Sequence, residues 1–165
     1  MFEVVDNFLD KSVLNNITNK IFSNNFPWYF NPKSGGKGFS NNFYIQHTHV
    51  FYDHLKGGIN SEDFNILKPL LDKLNVNKLH RVKANSTTKT HKIIQYPFHR
   101  DQPDLNNSKA SIFYLNTNNG FTLFKNKEKI KSKKNRLSTF KANEYHCATS
   151  CTDQLRRLVI NINYE

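Results

Sequence analysis

From Leu79 onward the chain breaks into eight short apolar or alternating runs: 79–85, 92–99, 110–116, 120–124, 128–131, 136–140, 144–148 and 157–163. Polar turn residues separate them. Several short strands at this spacing predict a β-sandwich or barrel. The last run, Arg157-Leu158-Val159-Ile160-Asn161-Ile162-Asn163, shows how such a sheet is used. Alternation sets Leu158, Ile160 and Ile162 on one face and Arg157, Val159, Asn161 and Asn163 on the other. A charged residue in register with a polar stripe on a mostly apolar strand needs a partner.

The N-terminal part reads differently. Residues 2–9 form an expected opening strand. Asp10 is placed to cap a helix over residues 11–22, whose apolar positions Val13, Leu14, Ile17, Ile21 and Phe22 recur at helical spacing. Residues 26–30 are an aromatic strand or turn, 33–37 with Gly35-Gly36 a polar loop, and 43–53 an extended segment. Ser61 is set to cap a second helical stretch, with Glu62 and Asp63 suited to its first turn. Pro69 either kinks that helix or opens a new one over 69–74. The expected organisation is one domain over 1–165, with a helical support region (1–78) packed on a β core (79–165). A chain of 165 residues buries roughly 70% of its unfolded surface, enough for one core.

Composition narrows the setting. No apolar run reaches the ~18 residues of a membrane span, and the N-terminus has no basic segment or cleavage pattern of a signal peptide. Cys147 and Cys151 match no zinc motif without a second pair. A reducing cytoplasm is the expected location. The formal charge of +11 fits two readings: affinity for a polyanion such as nucleic acid, or a compositional drift toward lysine and asparagine. The alternating lysines of 125–131 look like a solvated hairpin.

His99-Arg100-Asp101 is the strongest chemical signal. Residues i and i+2 of a strand share a face, so His99 and Asp101 point the same way if the strand persists through them. Imidazole nitrogen and carboxylate oxygen suit Fe(II), and a third ligand must come from elsewhere in the fold. His146, in a turn-rich segment, and Arg157, 11 residues later, supply the context. Glu144 is a rival ligand. Arg156 is a rival to Arg157 but shares its face with Leu158, Ile160 and Ile162. His47 and His49 form another i, i+2 pair with no carboxylate close in sequence, and read as structural. His54, His80 and His91 are isolated.

Together, residues 79–164 resemble the double-stranded β-helix of the 2-oxoglutarate/Fe(II) dioxygenases, especially the prolyl-hydroxylase-like branch and its small phage-type members. The residues that carry this are His99-Arg100-Asp101, SIFYLN at 111–116, NGFTLF at 119–124, NRLSTF at 135–140, His146, and RLVININY at 157–164. The resemblance implies an α+β, mainly β fold: a jelly roll with N-terminal supporting helices. It implies an enzyme that uses Fe(II), 2-oxoglutarate and O2 and hydroxylates a C–H bond. His99, Asp101 and His146 would bind the metal, and Arg157 would pair with the distal carboxylate of 2-oxoglutarate. Tyr114 would help hold that carboxylate, Asn161 would lie near it, and Asn85 would touch the co-substrate. Tyr96 would line the substrate pocket.

Two departures bear on the substrate. The Tyr-x-Pro-Gly turn of prolyl hydroxylases is replaced by Asn85-Ser86-Thr87-Thr88, and the Gly-Gly-x-x-x-Phe turn by Gly120-Phe121-Thr122-Leu123-Phe124. Asn163 stands where the AlkB-like demethylases carry a second arginine, which argues against that branch. Peptide side chain, nucleobase and small metabolite all remain open, with the first favoured by the resemblance. Two alternatives differ in class: a nucleic-acid-directed oxygenase or basic nucleic-acid-binding module on this scaffold, and a cupin-like metalloprotein. Salt-dependent nucleic-acid binding that survives His99→Ala marks the binding module, and a cupin-like protein has no use for Arg157.

Overall fold

A computed structural model of the protein describes residues 2–31, 45–101 and 107–165. The loop expected over 33–37 and the head of the segment expected over 43–53 lie outside the described residues. The strands are β1 (Glu3–Val5), β2 (Tyr29–Asn31), β3 (Gln46–Asp53), β4 (Gly58–Ile59), β5 (Leu79–Thr88), β6 (Lys109–Tyr114), β7 (Phe121–Phe124), β8 (Lys129–Lys131), β9 (Arg136–Lys141), β10 (His146–Ala148) and β11 (Arg156–Tyr164). The helices are α1 (Lys11–Ile21) and α2 (Lys68–Lys73). A large antiparallel sheet runs in the order β1-β9-β6-β11-β5-β3-β2, with β4 on β3, and a small sheet in the order β10-β7-β8. This is a jelly-roll arrangement of two sheets with helices outside the larger one.

The two faces of β11 build the two cores. Leu158, Ile160 and Ile162 join Leu14, Ile17 and Ile21 of α1, Leu70 and Leu71 of α2, and Val82, Ala84 and Phe113 of the large sheet in one buried cluster. Each of the larger side chains among them contributes about 1.5–3 kcal/mol by leaving water. The helices therefore cover the outer face of the large sheet. On the inner face, Val159, Ile112 and Tyr114 meet Phe124 and Ile130 of the small sheet. Phe124 and Phe140 pack edge to face at 5.0 Å between ring centroids.

Local chemistry explains where the elements differ from expectation. The opening strand is only Glu3–Val5, because Asn7 adopts φ +54° and turns the chain. Asp10 occupies the N-cap of α1 but makes no side-chain cap bond. Ser61 does cap, accepting from the Asp63 amide at 3.1 Å, but it opens a 3-10 turn over Glu62–Leu67. Pro69 then sits in the first turn of α2, where its missing N–H costs nothing. The region before residue 79 also supplies strands: β3 pairs with β5 along Gln46–Asp53.

Two further corrections touch the site. Ser86-Thr87-Thr88 is not a turn but continues β5, in register with Leu158, Arg157 and Arg156. The run at 92–99 is not a strand. It is an extended segment tied to β10 by isolated bridges, Gln95 to Thr149 and His99 to His146.

Candidate active site

Where the apolar filling between the sheets stops, a cavity of about 290 Å³ opens. Both sheets line it: Arg81, Lys83, Asn85, Thr87, Arg157 and Asn161 from the large one, Thr122, His146 and Ala148 from the small one. His99, Arg100 and Asp101 close one side.

His99 and His146 are brought together by backbone pairing. The His99 amide donates to the His146 carbonyl at 2.9 Å and the His146 amide to the His99 carbonyl at 3.0 Å. Their rings lie 4.6 Å apart. The Asp101 amide donates to the Ala142 carbonyl at 3.0 Å, which turns its carboxylate toward both rings. The alignment of His99 with Asp101 thus comes from two backbone anchors and not from a persisting strand. One ligating atom from each of the three residues lies within 4.8 Å of the other two.

The imidazoles are oriented for metal binding. Each Nδ1 faces a backbone carbonyl, Pro97 at 3.3 Å for His99 and Glu144 at 3.0 Å for His146. Nδ1–H donating there leaves the Nε2 lone pairs free. Those Nε2 atoms stand 3.8 and 3.9 Å from the Asp101 oxygens, too far for hydrogen bonds. Nε2 of His146 is buried with no hydrogen-bond partner among the described residues. Burial, reinforced by His146, lowers the His99 pKa, which favours the neutral imidazole. Burial alone would raise the Asp101 pKa, but His146, Arg81 and His99 outweigh it and hold the carboxyl below its usual range.

Asp101 is held from behind. Arg81 Nη2 lies 3.4 Å from Oδ1, and the Asn163 side-chain Nδ2 donates to Oδ2 at 3.0 Å. Neither residue is among those singled out from the sequence as site residues. The signal for both was alternation, which places Asn163 in the polar stripe of β11 and Arg81 on the face of Asn85. Glu144 contributes its carbonyl to His146.

Arg157 is 2% exposed. Its Nε donates to Ser132 Oγ at 2.8 Å and its Nη2 to Thr122 Oγ1 at 3.1 Å. The guanidinium lies 5.5 Å from the centroid of the Tyr114 ring. No carboxylate pairs with it among the described residues. Burial lowers its pKa, the mark of a cation whose surroundings do not compensate its charge. Arg156, by contrast, is exposed.

The remaining candidates divide. Asn85 and Asn161 line the cavity, and each has a buried carbonyl oxygen without a hydrogen-bond partner among the described residues. Tyr96 lines it too, with its hydroxyl donating to the Ile45 carbonyl at 2.8 Å. Tyr114 does not line it. Fully buried behind Arg157, it shares a hydrogen bond of 2.8 Å with Thr122. His49 is structural, with both ring nitrogens engaged by the Pro27 carbonyl and the Ser61 hydroxyl, each at 2.8 Å. Cys147 is buried and its thiol is pushed up to about 11 by burial.

Gly120 is a close-approach position. A Cβ there would stand 2.7 Å from the Ser150 carbonyl oxygen, 2.8 Å from Arg157 Cδ and 2.9 Å from Asn118 Oδ1. The backbone carbonyl cannot yield as a side chain can, so Gly120→Ala should push Arg157 from its seat. A displacement near 1 Å costs up to about 10²-fold in a positioned site. On the expectation that Arg157 grips 2-oxoglutarate, calorimetric titration should show weakened binding of that ligand and nearly unchanged Mn(II) binding.

No protein-family model matches the chain, and no curated protein matches it in sequence. Solved structures do match in fold. A prolyl hydroxylase from Trichoplax adhaerens, solved with a hypoxia-inducible-factor peptide fragment, aligns with TM-score 0.72 and 13% identity over 99% of this chain and 83% of its own. A viral collagen prolyl hydroxylase from Paramecium bursaria Chlorella virus-1, solved with 2-oxoglutarate, aligns with TM-score 0.59 and 17% identity over 98% and 94%. A prolyl-4-hydroxylase from Pseudomonas putida gives TM-score 0.61 and 11% identity over 99% and 92%. Sequence so diverged carries the architecture and leaves chemistry to the site. The chain thus shares its fold with the prolyl hydroxylases and other 2-oxoglutarate/Fe(II) oxygenases.

Proposed function

We propose that this protein is an Fe(II)- and 2-oxoglutarate-dependent dioxygenase that hydroxylates a C–H bond, with a protein or peptide side chain as the substrate class favoured by the fold likeness. The observation that carries this is the buried Arg157, which meets no carboxylate among the described residues, in the same cavity as the His99–Asp101–His146 cluster. A buried cation without a counter-charge is costly. A bound dicarboxylate would meet that cost, and the metal ligands line the same cavity.

The residues fit both groups. His99 Nε2, His146 Nε2 and an Asp101 oxygen would hold Fe(II), the two-histidine, one-carboxylate set that leaves other positions open. Arg157 would grip the distal carboxylate as a planar fork, with Ser132 and Thr122 fixing its plane and Tyr114 filling the space behind. Asn85 and Asn161 would contribute polar contacts along the cavity. When bound, Fe(II) and 2-oxoglutarate supply an O2-dependent oxidation that yields succinate, CO2 and the hydroxylated product. The chain's own part is to fix the ligands and neutralise the co-substrate's charge.

The test is succinate release. Protein reconstituted anaerobically with Fe(II) is given 2-oxoglutarate and then air, with and without a panel of peptides and oligonucleotides. Succinate above a His99→Ala control is the expected result. The absence of succinate from Fe(II)-loaded protein under every condition refutes the proposal.

A further inference from the structure

The cavity wall carries more positive charge than an Fe(II)/2-oxoglutarate centre requires. Among the described residues its lining holds Arg81, Lys83, Arg100 and Arg157, and one carboxylate, Asp101. On the oxygenase reading, from which this inference follows, the divalent metal, Asp101, the doubly charged co-substrate and Arg157 cancel. Lys83 and Arg100 then stand uncompensated, and Arg81 shares the charge of Asp101 with the metal.

The position of Arg81 and Lys83 separates them from the Arg157 anchor. On β5, Thr87 pairs with Arg157, Lys83 with Asn161 and Arg81 with Asn163. Four residues of strand from Thr87 to Lys83 cover about 13 Å. The Arg81 guanidinium reaches the metal-ligand carboxylate Asp101. The Arg81–Lys83 pair therefore belongs to the metal end of the cavity.

Both side chains have unmet capacity. Arg81 Nε is buried without a partner among the described residues. Lys83 makes no ion pair there; the acids that influence it, Asp101 and Asp53, act only at longer range. Arg100, on the exposed side of the cavity, lies 4.9 Å from the centroid of the Tyr145 ring, and Lys125 Nζ lies 4.7 Å from the same centroid. The approach is cationic as well. A substrate presenting only neutral, apolar surface leaves Lys83 desolvated and unpaired, a recognised means of rejecting a ligand.

We propose that Lys83 and Arg81, with Arg100 on the approach, form an anion subsite for the substrate, and that the substrate carries a carboxylate close to the carbon presented to the metal. Such a carboxylate completes the charge balance and fixes which C–H bond faces the metal. On a peptide it is an acidic side chain or a C-terminal carboxylate.

Calorimetry on protein loaded with Mn(II) and saturating 2-oxoglutarate, without oxygen, tests this through binding alone. The probes are N-acetyl-aspartate amide, N-acetyl-glutamate amide and N-acetylproline, each against its uncharged amide counterpart. At least one carboxylate should bind about tenfold or more tightly than its counterpart, the range of a charge-assisted contact. Lys83→Met should abolish that preference while leaving Mn(II) and 2-oxoglutarate affinities within about twofold. Arg100→Gln, at an exposed position, should reduce it partly. The subsite is refuted if no carboxylate outbinds its amide on loaded protein, or if Lys83→Met weakens 2-oxoglutarate itself, which would assign Lys83 to the co-substrate. Wild-type protein that takes up neither Mn(II) nor 2-oxoglutarate overturns the oxygenase reading, and this inference with it.

Discussion

Arg157→Met should abolish 2-oxoglutarate binding at concentrations that saturate the wild type, and should make the ligand-free protein more stable. The two effects have one cause. Arg157 is a buried cation whose charge no acid meets among the described residues, held by the hydroxyls of Ser132 and Thr122. Removing one partner of a buried charged pair costs about 2–5 kcal/mol of binding, roughly 30-fold to several thousand-fold. In the empty cavity the same cation is a burden, and an apolar residue of similar length relieves it by on the order of 1 kcal/mol. Titration of 2-oxoglutarate into Mn(II)-loaded protein gives the first quantity and urea unfolding of ligand-free protein the second. Lost binding with lowered stability would make Arg157 an ordinary structural residue.

Asp101→Asn should be equally damaging at the metal. The substitution keeps size but removes the negative charge that His99, His146 and Arg81 surround. One amide face would also oppose the Asn163 Nδ2 or the Arg81 guanidinium, donor against donor. Loss of an outer partner of a metal ligand costs about 10–100-fold in affinity, and loss of a ligand exceeds that. Asn163→Ala supplies the comparison. It should fall inside the 10–100-fold range, because it frees Asp101 Oδ2 without removing a ligand. Mn(II) binding followed by calorimetry ranks the three proteins. Metal added to the wild type should also raise its melting temperature with concentration, as expected of any ligand that binds only the folded state, and leave Asp101→Asn nearly unmoved.

How far the site could be read from the sequence depended on the distance over which each residue is positioned. Strand alternation is local, so β11 was legible: Leu158, Ile160 and Ile162 lie in the outer core, and Arg157 and Asn161 line the cavity. The same rule places Arg81 and Lys83 with Asn85 on β5, but without the sheet in view nothing marks alternate basic residues as facing inward. Alternation places Asn163 in the polar stripe of β11, but its hydrogen bond to Asp101 depends on a pairing between segments 62 positions apart. Ser132 and Thr122 became visible only once the small sheet closed over the large one. The run at 92–99 misled for a related reason. Its apolar content suggested a strand, yet it meets β10 through isolated bridges, and these set His99 against His146. Tyr114, expected at the co-substrate carboxylate, instead bonds Thr122 behind the arginine, an orientation that strand position alone does not reveal.

Diffraction from crystals grown anaerobically with Mn(II) and 2-oxoglutarate, with anomalous data to locate the manganese, examines the whole arrangement at once. The metal should bond Nε2 of His99, Nε2 of His146 and one Asp101 oxygen, with the far carboxylate of 2-oxoglutarate on the Arg157 guanidinium. A manganese peak away from these three side chains, or a dicarboxylate that leaves Arg157 unpaired, would show that the shared fold carries a different chemistry here.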